Sequence, residues 1–224
     1  MCIRDSLYRA NAQSRVLEHQ LFTAGVPYRV HGGLRFFDRQ EIRHALAYLR
    51  LIVNPDDDTA FARVVNFPTR GIGTRSAEAL QEAAHAAQCS LYAAAANLPG
   101  KSGSTIARFV RLIEQLRSET ATLPLPELIE HVIDHSGLRQ HYLGERDGQD
   151  RLENLDELVN AATVFVSDAA TATDENERSD DGRLSSFLAH ASLEAGEHQA
   201  GDDQEAVQLM TVHSAKGLEF DVVF

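Results

Sequence analysis

The sequence predicts a mixed α/β protein in which a long helical block interrupts a small sheet. Three observations predict it. Segments with strand character occur only towards the two ends, roughly 7–38 and 205–224, and from Thr59 to about Leu193 almost everything reads as helices with short connections. The last stretch, VQLMTVHSAKGLEFDVVF, holds two apolar runs, Val207 to Val212 and Asp221 to Phe224, around a polar loop from His213 to Glu219. Short runs rich in β-branched side chains and flanked by turn residues mark strands of a sheet covered on both faces. A sheet drawn from both ends makes the helices between them an insertion.

Met1 to Ser6 reads poorly as the start of a domain, whereas Leu7 to Arg15 reads as the end of a strand passing into a helix. Gln13 to Thr23 has helical spacing at Val16, Leu17 and Leu21 and ends at Gly25; Tyr28 to Val30 is a short strand. Gln40 to Val53 is an amphipathic helix, with Ile42, Leu46, Leu49 and Ile52 three and four apart, stopped by Pro55 and three aspartates. Phe61 to Val65 is a brief helix closed by Pro68, and Arg75 to Gln88 and Leu91 to Leu98 are alanine-rich helices. Ser104 is the expected cap of Ile106 to Leu116. Pro126 suits the first turn of Leu128 to Ile133, which Ser136-Gly137 ends. Leu152 to Val166 and Leu184 to Leu193 complete the helices. Ser167 to Gly182, polar, acidic and non-periodic, is expected as a mobile surface loop, and Glu194 to Glu205 resembles it.

With 224 residues, 43% hydrophobic and 24% charged, the chain has the composition of a globular protein with ample core. No apolar run approaches the roughly 20 residues of a membrane span, so no membrane partner is expected. Cys2 and Cys89 are isolated, without CxxC spacing, which indicates neither a disulfide framework nor a cysteine zinc site and suits a reducing, cytoplasmic setting. The net charge of −12 is unevenly placed. Residues 1–75 carry 11 Arg against 7 Asp/Glu, residues 76–167 carry 7 basic against 13 acidic, and residues 168–224 carry 3 basic against 13 acidic. An arginine-rich first third can face a phosphate backbone while the acidic remainder faces water.

Several motifs bear on chemistry. The GKS of Pro99 to Ser104 lacks the glycine five positions earlier and the preceding strand that a phosphate cradle needs; Ala95 stands there, so the string is expected as an interhelical turn. His131 and His135 are one helical turn apart but lack a third ligand pattern, so they are read as exposed polar residues and no metal ligand is assigned. TRGIGTRS, Thr69 to Ser76, places Gly71 and Gly73 before a helix with Thr74 as its expected cap. Such a stretch is either a plain tight turn or a place where backbone amides, a helix dipole, Arg70 and Arg75 meet an anion. Arg9, Asn11, Ser14 and Arg15 lie at a strand-to-helix transition, as generic surface residues or as the edge of a ligand crevice. Tyr28, Phe36 and Phe37 sit near arginines and are read as core rather than as base-stacking platforms.

TVHSAKGLEF (Thr211 to Phe220) closely resembles motif V of the UvrD/Rep/PcrA family of superfamily 1 DNA helicases, and PYRVHGGLRFFDRQEI and FPTRGIG resemble the same family. The resemblance implies a RecA-like P-loop NTPase subdomain 2A, in part, at 7–38 and 205–224, with a helical 2B subdomain inserted over 39–204. It implies that Met1 to Ser6 is a non-native scar, because the family has apolar strand residues there. It assigns Gly217 and Glu219 to the nucleotide; Arg9, Asn11, Ser14, Thr211, His213 and Ser214 to single-stranded DNA; and Thr69, Arg70, Gly71, Gly73, Thr74 and Arg75 to duplex backbone. ATP and Mg2+ are implied for the full-length protein, with single-stranded DNA, single/double-strand junctions and DNA repair proteins as partners, and 3'–5' unwinding as the activity. The family's Walker motifs and second arginine motif have no match here, and an arginine alone contributes roughly 10³ to 10⁵ to phosphoryl transfer. The chain alone is therefore expected to bind no cofactor and to be inactive as an ATPase. The rival expectation is a non-catalytic helical DNA-binding or protein-interaction module of 2B shape.

Overall fold

The structure, a computed structural model, describes residues 5–9, 11–31, 34–171, 180–196 and 206–216. Its sheet is built from both ends of the chain. Strand β1 (Asp5–Tyr8), β2 (Tyr28–His31) and β3 (Val207–Thr211) lie in the order β1-β3-β2, all parallel. Asp5 pairs with Gln208 through to Tyr8 with Thr211, and Tyr28 with Val207 through to His31 with Met210. Parallel neighbours need crossovers. Helix α1 (Ser14–Thr23), entered through a 3-10 turn at Asn11–Gln13, supplies one between β1 and β2; the helical block supplies the other, returning the chain to the middle of the sheet. Asp5 and Ser6, expected as part of a scar, are rungs of β1; Gly32 and Gly33 lie outside the described residues.

Helix α2 (Gln40–Val53) forms as its spacing predicts and runs through the block, packing on α3 (Asp58–Val64), α6 (Gly100–Thr120), α7 (Leu125–His135), α9 (Gly148–Thr171) and α10 (Asp180–Gly196). Helices α4 (Thr74–Ala87), α5 (Leu91–Ala95) and α8 (Leu138–Leu143) complete it among the described residues. Tyr48 and Leu49 of α2, Ile106, Phe109, Ile113 and Leu116 of α6, Ile129 and Val132 of α7, Leu155 and Leu158 of α9 and Phe187 of α10 share one core. Tyr28, Phe36 and Phe37 are buried as expected.

Five expectations about local structure are corrected. Gly100 to Ser102 form the first turn of α6 rather than an interhelical turn, and Ser104 lies inside that helix, its hydroxyl donating to the Gly100 carbonyl at 3.2 Å. Gly73, not Thr74, is the N-cap of α4. Ser167 to Thr171 and Asp180 to Gly182 are helical, because α9 and α10 extend into the segment read as a loop; residues 172–179 lie outside the described residues. Glu194 belongs to α10 and is buried, since a cationic partner waits for it on α1.

A buried polar seam joins α1 to the block. Ser14 Oγ donates to Glu18 at 2.7 Å, and the Phe36 amide donates to the other carboxylate oxygen at 3.1 Å. Arg39 donates to Ser14 Oγ at 2.6 Å and to Asn154 at 2.7 Å, and Asn154 passes a bond to Glu41 at 2.6 Å, which also accepts from Arg151. Burial pushes the Glu18 carboxyl up, against the hydrogen bonds and the Arg39 and Arg15 charges that pull it down. With every link partnered, the seam orients the block; removing one partner of such a buried pair typically costs about 3–5 kcal/mol.

Candidate nucleic-acid interface

The register of β1 with β3 brings two of the expected site segments together. Tyr8 stands opposite Thr211, and the Val212 amide donates to the Tyr8 carbonyl at 3.0 Å, so both strands release their chains at one carboxyl edge of the sheet. In open α/β sheets that edge is where ligands bind. On the β1 side Arg9 is exposed, its amide donating to the Gln13 side chain at 3.1 Å, and Asn11 opens the 3-10 turn. On the β3 side Thr211 Oγ1 accepts from the Ser214 amide at 3.1 Å and pairs with Ser214 Oγ at 2.9 Å, while the Ala215 amide donates to the Thr211 carbonyl at 3.0 Å. These bonds close a turn that buries Ala215 and leaves His213, Ser214 and Lys216 exposed. Lys216, within the string that carries the motif but not among the expected contacts, supplies a cation at this edge. Gly217 and Glu219, expected on the nucleotide side, and the expected strand at Asp221 to Phe224 lie outside the described residues.

Ser14 is corrected. It is fully buried, held between Glu18 and Arg39, and does not face the edge. Arg15 is likewise 4% exposed, with its guanidinium against Glu194 and 5.1 Å from the Phe37 ring centroid.

The second segment, Thr69 to Arg75, is shaped by the side chains of Asn66, which is exposed, and Arg70, which turns inward. Asn66 Oδ1 accepts from the amides of Arg70 at 2.9 Å and Ile72 at 3.0 Å, which curls the chain and buries Ile72. Arg70 points into the block: NH1 donates to the carbonyls of Val64 (3.2 Å) and Pro68 (3.0 Å), NH2 to Tyr48 Oη (2.7 Å) and the Ser136 carbonyl (2.9 Å). The guanidinium lies 5.2 Å from the Phe109 ring centroid. Four internal acceptors make Arg70 the residue that shapes this loop, which corrects the expectation that it grips a phosphate. Thr69, Gly71, Gly73, Thr74 and Arg75 are exposed, with Gly71 at φ +77° and Gly73 capping α4. The first amides of a helix have no acceptor within it. Arg108 of α6, which no motif marked, flanks a cleft of about 240 Å³ beside the loop, together with Thr105, Phe109 and Arg70.

His131 and His135 stack at 3.9 Å between ring centroids, and His131 faces Glu119 at 2.9 Å, an arrangement of the α6/α7 surface. None of the helices among the described residues is long and apolar enough to cross a membrane.

Fold and edges together define an α/β domain with a large helical insertion and hydroxyl and cationic side chains at its strand ends. Residues 5–224 match the model of the UvrD-like helicase C-terminal domain, and the chain belongs to that family. It is similar to DNA helicase II of Escherichia coli (51% identical over 227 residues), to the ATP-dependent DNA helicase PcrA of Bacillus subtilis (38% over 231) and to the ATP-dependent DNA helicase UvrD1 of Mycobacterium tuberculosis (41% over 236). Each alignment covers 97% of this chain and 30% of the relative, so the chain spans about a third of their length.

Proposed function

We propose that this chain is part of a cytoplasmic, ATP-dependent 3'–5' DNA helicase, in which residues 7–38 and 205–224 contribute to a RecA-like subdomain and 39–204 form its helical insertion. The observation that carries the reading is the meeting of the Arg9 segment and the Thr211 to Lys216 turn at one carboxyl edge of a parallel sheet. There Arg9, Asn11, Thr211, His213 and Ser214, joined by Lys216, bind the backbone of single-stranded DNA. Thr69, Gly71, Gly73, Thr74 and Arg75 bind duplex backbone at a junction, with Arg70 holding their loop. Gly217 and Glu219 face the nucleotide. A turn touching both ligands couples them, because each biases the same element. The one GKS string opens α6 rather than following a strand, so it does not fit a triphosphate cradle. ATP enters through the names of the PcrA and UvrD1 relatives, which are called ATP-dependent, and Mg2+ as the ion that accompanies ATP in the whole protein; DNA repair proteins are candidate partners of the whole protein.

The test is titration of single-stranded DNA at several salt concentrations, read by fluorescence anisotropy. Each phosphate contact contributes about 0.7 to the slope of log affinity on log salt. Replacing Arg9 and Lys216 with Ala is expected to weaken binding and flatten that slope by roughly 1.4. Unchanged affinity and slope would overturn the single-strand assignment and leave a binding module confined to the helical block, whose separate core is the observation that favours this second reading.

A further inference from the structure

Away from both proposed DNA edges, side chains of α1, α9 and α10 converge on one buried carboxylate. Glu194 Oε1 lies 3.0 Å from His19 Nδ1 and 2.8 Å from His190 Nε2, while Oε2 lies 3.3 Å from Arg15 NH1. His190 and Glu194 are one turn apart on α10; His19 comes from α1, 175 positions away. The outer nitrogen of His19, Nε2, faces Asp168 Oδ2 of α9 at 4.0 Å. His190 is held by Phe22 and Phe165, whose ring centroids lie 6.0 and 5.4 Å from its own. His19, His190, Asp168, Arg15 and Phe165 also line a cavity of about 310 Å³ that reaches the cluster.

The donor atoms have the chemistry of a transition-metal site. His19, His190 and Glu194 offer one ligand atom each, all within 4.8 Å of one another. For bonds of about 2.0–2.1 Å in a tetrahedron, ligand atoms stand roughly 3.3 Å apart. The two His to Glu194 distances, 3.0 and 2.8 Å, therefore open by a few tenths of an ångström, while the widest pair, within 4.8 Å, closes by up to about 1.5 Å through imidazole rotation. Two imidazoles and a carboxylate with one open position are a zinc donor set. A ligating His usually gives its other ring N–H to a carboxylate, and Asp168 stands on that side of His19. Arg15 spans the carboxylate, NH2 donating to Oε1 at 3.3 Å and NH1 lying 3.3 Å from Oε2, so the metal takes a remaining lone pair of Oε1 beside that bond.

We propose that His19 Nδ1, His190 Nε2 and Glu194 Oε1 bind one Zn2+, with water from the cavity in the fourth position and Asp168 orienting His19. The ion clips α1, which packs beside the sheet, to α10, the helix from which the chain returns towards β3. The inference stands apart from the DNA assignments.

The test uses the 224-residue chain without a histidine tag, stripped with a chelator and titrated with ZnCl2 and, in parallel, with CoCl2. One equivalent is expected to bind, Co2+ with the visible ligand-field absorption of a tetrahedral site, and the thermal midpoint is expected to rise with metal concentration. His19→Gln and His190→Gln should each lower affinity by well over about tenfold, and Asp168→Asn by about tenfold with the Co2+ spectrum retained. The double variant His131→Gln, His135→Gln should bind as the parent does. Absence of the Co2+ bands in the parent chain overturns the proposal, whatever the variants do. So does binding that survives in His19→Gln and His190→Gln, or that disappears with the surface pair.

Discussion

In the helical block, buried apolar side chains from α2, α3, α6, α7, α9 and α10 interlock into one continuous core, whereas at the sheet the clustered buried apolar residues are Tyr8, Tyr28 and Leu209, with Leu17, Leu21, Val30 and Val207 partly buried beside them and Met210 buried outside that cluster. The block is held by what it packs. The strands are held by their ladders, by α1 and by the polar seam through Ser14, Arg39 and Asn154. The difference separates two jobs: a self-sufficient core can present a loop rigidly, while a small sheet leaves its carboxyl edge open to a ligand.

The largest expected effect tests that contrast directly. Phe109 is 1% exposed and meets Phe61 edge to face with ring centroids 5.2 Å apart. Phe109→Ala should cost about 3–5 kcal/mol in urea unfolding, and Leu209→Ala about 2 kcal/mol, because a smaller cluster collapses around the lost volume more easily. Equal costs would break the comparison.

Acid should act on the two regions with opposite sign. Burial, ahead of the charges of Arg63, His141 and Arg151, lowers His44 in the block from 6.5 to about 4. Between those values the unfolded state binds the proton and the folded state does not, so stability falls as pH drops from about 6.5 to about 4, by up to about 3 kcal/mol. Glu18 in the seam is raised, so there the folded state holds the proton more tightly and gains stability as pH drops towards its unfolded value. Urea titrations at several pH values should show the acid loss shrinking in His44→Gln and steepening in Glu18→Gln. A His44→Gln profile identical to the parent would remove His44 from the account.

Arg70 sharpens the contrast between holding and gripping. Arg70→Ala leaves the carbonyls of Pro68 and Ser136 without the Arg70 donor, while Val64 keeps the Phe67 amide, and should lower unfolding stability by about 2–3 kcal/mol. Arg70→Lys should restore little of it, since an ammonium cannot reach four acceptors as a fork does. Full stability in Arg70→Ala would return the side chain to the solvent and to the phosphate role it was first assigned.

Much of this was legible in the sequence for a physical reason. Ile42, Leu46, Leu49 and Ile52 repeat at the helix period because α2 buries one face, and the apolar run at Val207 marks a strand because β3 sits between two others. What was not legible depends on partners distant in the chain. Arg15 and Glu194 are 179 positions apart, and each alone looks like a surface charge. Ser14 resembled a crevice residue until Glu18 and Arg39 closed over it. The acidic composition of 180–182 hid the start of α10, which Leu184 and Phe187 anchor by packing rather than by propensity.

The smallest effects fall on the loop itself. An added Cβ at Gly71 would meet nothing within 4 Å, so the cost of Gly71→Ala comes only from its φ of +77°, about 1 kcal/mol. Arg75 is exposed at the start of α4, and its replacement by Ala should change stability by less than about 0.5 kcal/mol. If the loop grips duplex backbone, Arg75→Ala should nonetheless weaken duplex binding and lower its salt slope by about 0.9, one contact's worth. A loss of affinity without a loss of stability at Arg75, set against a loss of stability at Arg70, would show that neighbouring arginines divide the work, one shaping the loop and the other meeting the ligand. Should Arg75→Ala leave duplex affinity and its salt slope intact, the loop is a turn of the helical block and the open edge of the sheet is left as the proposed contact with DNA.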